Sequence, residues 1–597
     1  MRILQRWGGA VSVLALTLVV SGAVPAEAPL ADAAQKRDVE QVRALVARGA
    51  DVNTAQGDGM TALHWAAEND DTEIVAILIT AGAVLDPATR NGAFTPLHLA
   101  GRVGNASTVQ VLLEAGADMD RRTSNGSTAL HFAAASGRVE AIASLLGHGA
   151  EVDARESVAG QTPLIFAAAS DRPEALRTLL EAGADATLAT TVVDVVAMVA
   201  EDAKFKATRD AFKAIEWGRG LAAGGYVDSA TVATADEEED EQEEATADDE
   251  AENGHPTDEE DVEGEPTDAD RQPASFQQLM RFRGGMTALH HAAREGNERS
   301  ARVLIESGVD VDLRSGDQST ALLTATINGH FDLALELLQG GADPNATSVA
   351  GAAPLYTTLN LRWGSTSWYP QPVAHRQQEA SHLALMRALL EAGADPNVRL
   401  ETDLWYSEYQ GGRLGVAQWG ATPFWRAAYG LDIPAMRLLV DYGADPNIAT
   451  KKLPSRRPIE EIEDYPDSPV PTGGPGTYAI HAATGASYGL GFAGNAHRHA
   501  PDAWLPVLRY LVEELDADVN QRDQNGHTPL HNAASRGDNE AIQYLLDRGA
   551  DVMAVSRSGQ TTADMANGPA QRLTPFPATL ELLEGLGAIN NHNCVGC

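Results

Sequence analysis

The sequence predicts an all-α solenoid, built from helix pairs joined by turn-rich fingers and arranged in two arrays. Three observations carry that prediction. A short phrase built on Thr, Leu and His returns at near-constant intervals. A Gly-Ala-Asp phrase keeps step with it. Between the two, apolar residues fall with the period of a helix rather than a strand.

The first phrase reads Thr61-Ala-Leu-His64, Thr95-Pro-Leu-His98, Thr128-Ala-Leu-His131 and Thr162-Pro-Leu, at steps of 34, 33 and 34 residues. It resumes at Thr287-Ala-Leu-His290, Thr320-Ala-Leu, Thr422-Pro-Phe and Thr528-Pro-Leu-His531, with steps of 33 from Thr287 to Thr320 and from Thr528 to Thr561. The second phrase appears as Gly49-Ala-Asp, Gly116-Ala-Asp, Gly183-Ala-Asp, Gly341-Ala-Asp, Gly393-Ala-Asp, Gly443-Ala-Asp and Gly549-Ala-Asp. These residues resemble the ankyrin-repeat family, and the likeness implies an ankyrin solenoid of helix-turn-helix units with β-turn fingers.

One copy shows why the pattern should fold this way. Thr95 can cap a helix with its hydroxyl, and Pro96 suits a first turn whose N–H needs no partner. Leu97, Leu99 and Ala100 follow as packing residues, and Val109, Leu112 and Leu113 give a second helix an apolar face. Gly116 can adopt the left-handed conformation that ends it. A single pair cannot bury that face, so the copies must stack. In this family the repeated histidines are structural, which removes His64, His98, His131, His290 and His531 from the list of candidate metal ligands.

The first array is expected over residues 30–217, with diverged closing helices, and the second over 277–589, with long insertions. Between them, residues 228–274 read as a disordered acidic linker. From Asp236 to Asp270 there are 20 acidic residues and no Lys or Arg, half of the formal net charge of −40, and too little apolar area to offset ordering. Residues 1–28 read as a cleavable signal peptide. Arg2 and Arg6 precede an apolar run from Ala10 to Val20, and Ala26 and Ala28 are spaced as a cleavage site. The run is too short to span a bilayer, so no membrane span is expected after cleavage. A periplasmic or secreted bacterial protein, monomeric, follows as the expectation.

Composition narrows the function. No basic stripe exists to neutralise phosphates, so nucleic acid is not an expected partner. There is no His-Glu-x-x-His and no Gly-rich loop ending in Lys-Ser or Lys-Thr, and no catalytic residue or cofactor is assigned. The resemblance implies a protein partner bound on the concave face. Aromatic residues concentrate in the insertions of the second array, and Trp363, Trp368, Tyr369, Trp405, Tyr406, Tyr409 and Trp419, with Arg426, form the candidate partner surface. The residue after each Thr-x-x-His phrase is Trp65, Leu99, Phe132 or Phe166 in the first array and His291, Thr324, Arg426 or Asn532 in the second, which suggests a more polar inner face there. A glycan- or peptide-binding protein using the Trp-rich insertions is an alternative, as is a secreted effector. So is a metal or redox protein. His497 and His499 alternate in a loop, with His481 as a possible third ligand, and the tail 590–597 carries His592, Cys594 and Cys597. The two cysteines are also a candidate disulfide. No His follows Cys597, so covalent haem is not expected.

Overall fold

Most repeats begin where a threonine caps the first turn of a helix, the exceptions starting after Ala28, Ala353 and Tyr478. The computed structural model describes residues 28–206, 276–364, 373–404, 418–454, 460–486, 499–568 and 574–593. They divide into two compact units, one ending at Ala186 and the other starting at Thr187.

In the first unit, helix pairs follow one another: Pro29–Gln35 with Val39–Ala47, Ala62–Glu68 with Thr72–Thr80, Pro96–Val103 with Ala106–Glu114, Ala129–Ser136 with Val139–Gly147, and Pro163–Ala169 with Pro173–Glu181. The side chains of Thr61, Thr95 and Thr162 accept from the backbone N–H three residues on, satisfying a donor that the helix start leaves orphaned. The histidine at that third position bonds twice. Nδ1 of His64 accepts from the Thr61 N–H at 3.0 Å, and Nε2 lies 3.0 Å from the Phe94 carbonyl. His131 bonds likewise to Thr128 N–H and to Gln161 O. Phe94 and Gln161 each stand immediately before the capping threonine of the next repeat, so the ring ties two successive repeats. His98 reaches the finger carbonyl of Arg121 instead. An Nδ1 that accepts places the proton on Nε2, and the ring is held neutral. Leu63, Leu97, Leu112, Leu145, Leu164 and Leu179 are buried between the helices.

The second unit repeats the plan in Ala288–Glu295 with Glu298–Glu306, Ala321–Asn328 with Phe331–Gln339, Pro354–Arg362 with His382–Glu391, and Pro423–Tyr429 with Ile433–Asp441. After these come Ala479–Thr484 with Trp504–Arg509, Pro529–Ser535 with Asn539–Asp547, and Thr562–Ala566 with Pro577–Gly585. The ring tie recurs at His290 to Ser319 O, His481 to His527 O and His531 to Gln560 O. At the last repeat Asp564 takes the histidine's place, accepting from the Thr561 and Asn591 N–H groups.

The fingers are laddered. The side-chain amide of Asn345 accepts from Asp395 N–H and donates to Gly393 O. Asn397 does the same to Asp445 and Gly443, and Asn520 to Asp551 and Gly549.

A two-stranded antiparallel pair also belongs to the second unit, formed by β1 (Val193–Asp194) and β2 (Phe282–Arg283), with Val193 opposite Arg283. Thr190 O accepts from Gly285 N–H, and Thr190 N–H donates to Met286 O. Residues 195–206 are helical and largely exposed. The boundary between the units thus falls within the stretch that the sequence assigned to the first array. The acidic segment and the signal region lie outside the described residues, in which no helix is long and apolar enough to cross a membrane.

Leu112→Ala removes a fully buried side chain and is expected to cost about 2–5 kcal/mol in urea unfolding. The buried histidines make a pH prediction. Burial lowers His98 and His131 to about 4 and His531 to about 3, against 6.5 for an exposed ring. Between those values the unfolded chain binds more protons. Their stabilisation is therefore complete above pH about 6.5 and is lost as pH falls towards 4. His527, whose ring the Asp523 charge raises in spite of burial, works in the opposite sense, as do the carboxyls of Asp86, Glu298 and Asp403, which burial raises. The melting temperature should fall over that window, and His98→Asn should flatten the fall.

Candidate protein-binding surfaces

The residue that follows the Thr-x-x-His position behaves differently in the two units. In the first unit this position forms an aromatic row. Trp65, Phe132 and Phe166 are half-buried, and Leu99 is buried. Phe94 joins them, its ring centroid 5.5 Å from that of Phe132. The histidines beneath hold the rings edge-on, at 5.9 Å for His98 and Phe132 and 5.1 Å for His131 and Phe166. Trp65 is fixed by a 2.8 Å bond from Nε1 to Gln56 Oε1. Such rings present rigid contact area that loses little entropy when a partner covers it.

The second unit differs, and not as the sequence suggested. His291, Thr324, Arg426 and Asn532 occupy the same position but are buried, so they do not make a polar inner face. Arg426 is wholly enclosed, donating from Nε to Asn360 Oδ1 at 3.0 Å and from Nη2 to the Trp363 carbonyl at 2.7 Å, with Nη1 left without an acceptor.

Trp363 and Trp419, assigned to a partner surface by the sequence, are also interior, at 7% and 2% exposure. Trp363 donates to Asp432 Oδ2 at 2.9 Å, and His382 Nε2 meets the same oxygen at 2.8 Å. Burial alone would raise the Asp432 carboxyl, but the hydrogen bond and charge of His382 and the Trp363 N–H hold it below its usual range. Asp432 also caps the helix Ile433–Asp441 through the Ala435 N–H. Trp419 lies under the Lys451 ammonium, 5.1 Å from its ring centroid. These three residues are therefore corrected from contact residues to packing residues.

Trp368, Tyr369, Trp405, Tyr406 and Tyr409 lie outside the described residues, as do His497, Cys594 and Cys597. His499 packs on Trp504 with centroids 4.8 Å apart. His481 is engaged by the carbonyls of Gln521 and His527, so it is not available as a third ligand. His592 is exposed. Among the described residues, no group of three or more His, Cys, Asp or Glu is placed to hold a metal. The string Gly485-Ala-Ser-Tyr-Gly489 matches Gly-x-Ser-x-Gly in letters. Gly485 ends the helix Ala479–Thr484, so the strand that precedes a nucleophile elbow is lacking.

Capped helix pairs, ring ties and laddered fingers define a helical repeat protein. Comparison with known families agrees. Models of ankyrin repeats match residues 30–123, 104–190 and 268–348 as three-copy units and 510–566 as a further set. The chain belongs to the ankyrin-repeat family.

Among curated relatives, mouse protein phosphatase 1 regulatory subunit 12A is 39% identical over 71 residues, 12% of this chain and 7% of its own length. Human ankyrin repeat domain-containing protein 49 is 44% identical over 52 residues, 9% and 22% of the two chains. Rat ankyrin repeat and SAM domain-containing protein 6 is 40% identical over 62 residues, 10% and 7%. The matched segments span only a small part of each relative. Ankyrin repeats are typically non-catalytic modules that mediate protein–protein interaction.

Trp419→Ala should cost about 3–5 kcal/mol in chemical unfolding of the second unit. A change within about 0.5 kcal/mol, the range of ordinary surface substitutions, would return Trp419 to the contact residues.

Proposed function

We propose that the chain is a non-catalytic scaffold of the cell envelope that binds a protein partner through the inner face of its repeats. The observation that carries this reading is the set Trp65, Phe94, Phe132 and Phe166, half-buried on the first unit, with Trp65 held by Gln56 and the three phenylalanines against His98 and His131. Aromatic anchors on a rigid frame are what protein interfaces favour. The basic start, apolar run and Ala-x-Ala spacing of residues 1–28 support export to the periplasm or beyond. The aromatic residues of the second-unit insertions, Trp368, Tyr369, Trp405, Tyr406 and Tyr409, are a second contact region in this proposal.

In-cell crosslinking and pull-down from the periplasmic fraction tests it. The wild-type chain is compared with Phe132→Ser/Phe166→Ser, and with a chain shortened within 365–372 and 405–417. A stoichiometric protein captured by the wild type and lost from the double variant, with circular dichroism unchanged, is the expected result. Loss only from the shortened chain moves the surface to the insertions. Capture of nothing by any folded form overturns the scaffold reading.

A further inference from the structure

The repeat capped by Thr422 has no histidine to tie it to the next. Trp425 stands three residues after the threonine, and its backbone N–H donates to the Thr422 hydroxyl at 3.1 Å. His64 and His131, at the same place in their repeats, donate from Nε2 to a carbonyl further along the chain. The indole N–H of Trp425 is buried and meets no acceptor.

Its neighbour Arg426 carries a charge into the same interior. The side chain is wholly enclosed, and a guanidinium keeps its proton there. Nε and Nη2 donate to Asn360 Oδ1 and the Trp363 carbonyl, both neutral groups of the preceding repeat, and Nη1 has no acceptor. Arg536 and Arg557 are also largely buried, but each meets a carboxylate, Asp538 for the first and Glu461 at 3.7 Å for the second. The ionisable groups that act on Arg426 are Tyr356 and Tyr429.

The two unsatisfied donors stand around one ring. Trp425 stacks on Tyr429 with centroids 5.2 Å apart and planes at 9°. The Arg426 Cζ lies 5.7 Å from the same Tyr429 centroid. A buried cation without a counter-charge and a buried N–H without an acceptor are each costly.

We propose that the interior of the second unit binds one small monovalent anion, of the size of chloride, held by Arg426 Nη1 and Trp425 Nε1. One negative charge balances the guanidinium and gives both donors an acceptor. A doubly charged ion leaves a net charge buried. Trp425 and Arg426 are both 0% exposed, which selects a small ion over one such as sulfate. The ion completes a polar core that already joins this repeat to Asn360 and Trp363 of the one before. The site is independent of the aromatic set of the first unit, so either proposal can fail alone.

Thermal unfolding of the full chain tests the proposal. It is followed by tryptophan fluorescence, to which the second unit contributes Trp363, Trp419, Trp425 and Trp504. The chain is dialysed into sodium gluconate, whose anion is too large for the site, and chloride then replaces gluconate at constant ionic strength. The midpoint should rise saturably, by about 2 °C or more. Bromide should act as chloride does, and sulfate should not. Arg426→Met should lose the response. Should that variant fail to fold, Trp425→Phe decides, because it keeps a ring and removes the donor. It should raise the chloride concentration for half the effect at least fivefold. Equal midpoints in gluconate and chloride overturn the proposal. So do an equal response to sulfate, a full chloride response in Arg426→Met, and an unchanged half-point in Trp425→Phe.

Discussion

The structure depends on a neutral imidazole held between two backbone groups. At each tie, Nδ1 accepts from the N–H of the residue that caps its own repeat, a threonine except at Tyr478, and Nε2 donates to a carbonyl further along the chain. A helix pair of this size buries too little surface to stand alone, and apolar contact between pairs does not fix their register. The ring does, because both of its bonds are directional and both are closed to water. The same enclosure lowers its basicity, and a protonated ring would face the threonine N–H donor-to-donor.

Where the histidine is replaced, the register is fixed by other means. Tyr356 reaches Gln418 from its hydroxyl at 3.0 Å. Trp425 stacks on Tyr429 with its indole N–H left without an acceptor. Its neighbour Arg426 is drawn inward to Asn360 and the Trp363 carbonyl. Among the described residues no carboxylate pairs with this buried cation, which is costly, so this part of the second unit exchanges stability for a particular arrangement of its interior. The aromatic row of the first unit, over intact ring ties, carries no such cost.

The repeat architecture was legible because its signals are local. Threonine, proline and glycine report backbone geometry at fixed offsets, and the 33–34-residue step repeats those signals several times. The structural role of His64 and His131 followed from their place in the phrase. The fate of Trp363, Trp419 and Arg426 did not. Aromatic density in an insertion looks the same whether the rings face solvent or fill space beneath it, and only the packing of Asp432, His382 and Asn360 decides. The π-turn at Tyr510–Glu514 did leave a trace. Leu511 to Ala517 is one residue longer than Leu439 to Ala444, a difference that shows only when the copies are aligned residue by residue at their helix ends. The β1–β2 pair had no comparable signal, since its partners are separated by the long acidic stretch.

That pairing changes what the acidic stretch is. Because Thr190 and Val195 are bonded to Met286 and Arg281, the chain leaves one unit and returns to it at nearly the same point. In topological terms the stretch is an excursion rather than a hinge. The ends of an excursion are held whatever its length, and the entropy of closing it grows only logarithmically. The β1–β2 pairing itself therefore sets little limit on how many residues lie between 206 and 276. The stretch is also where 20 acidic residues stand with no Lys or Arg among them.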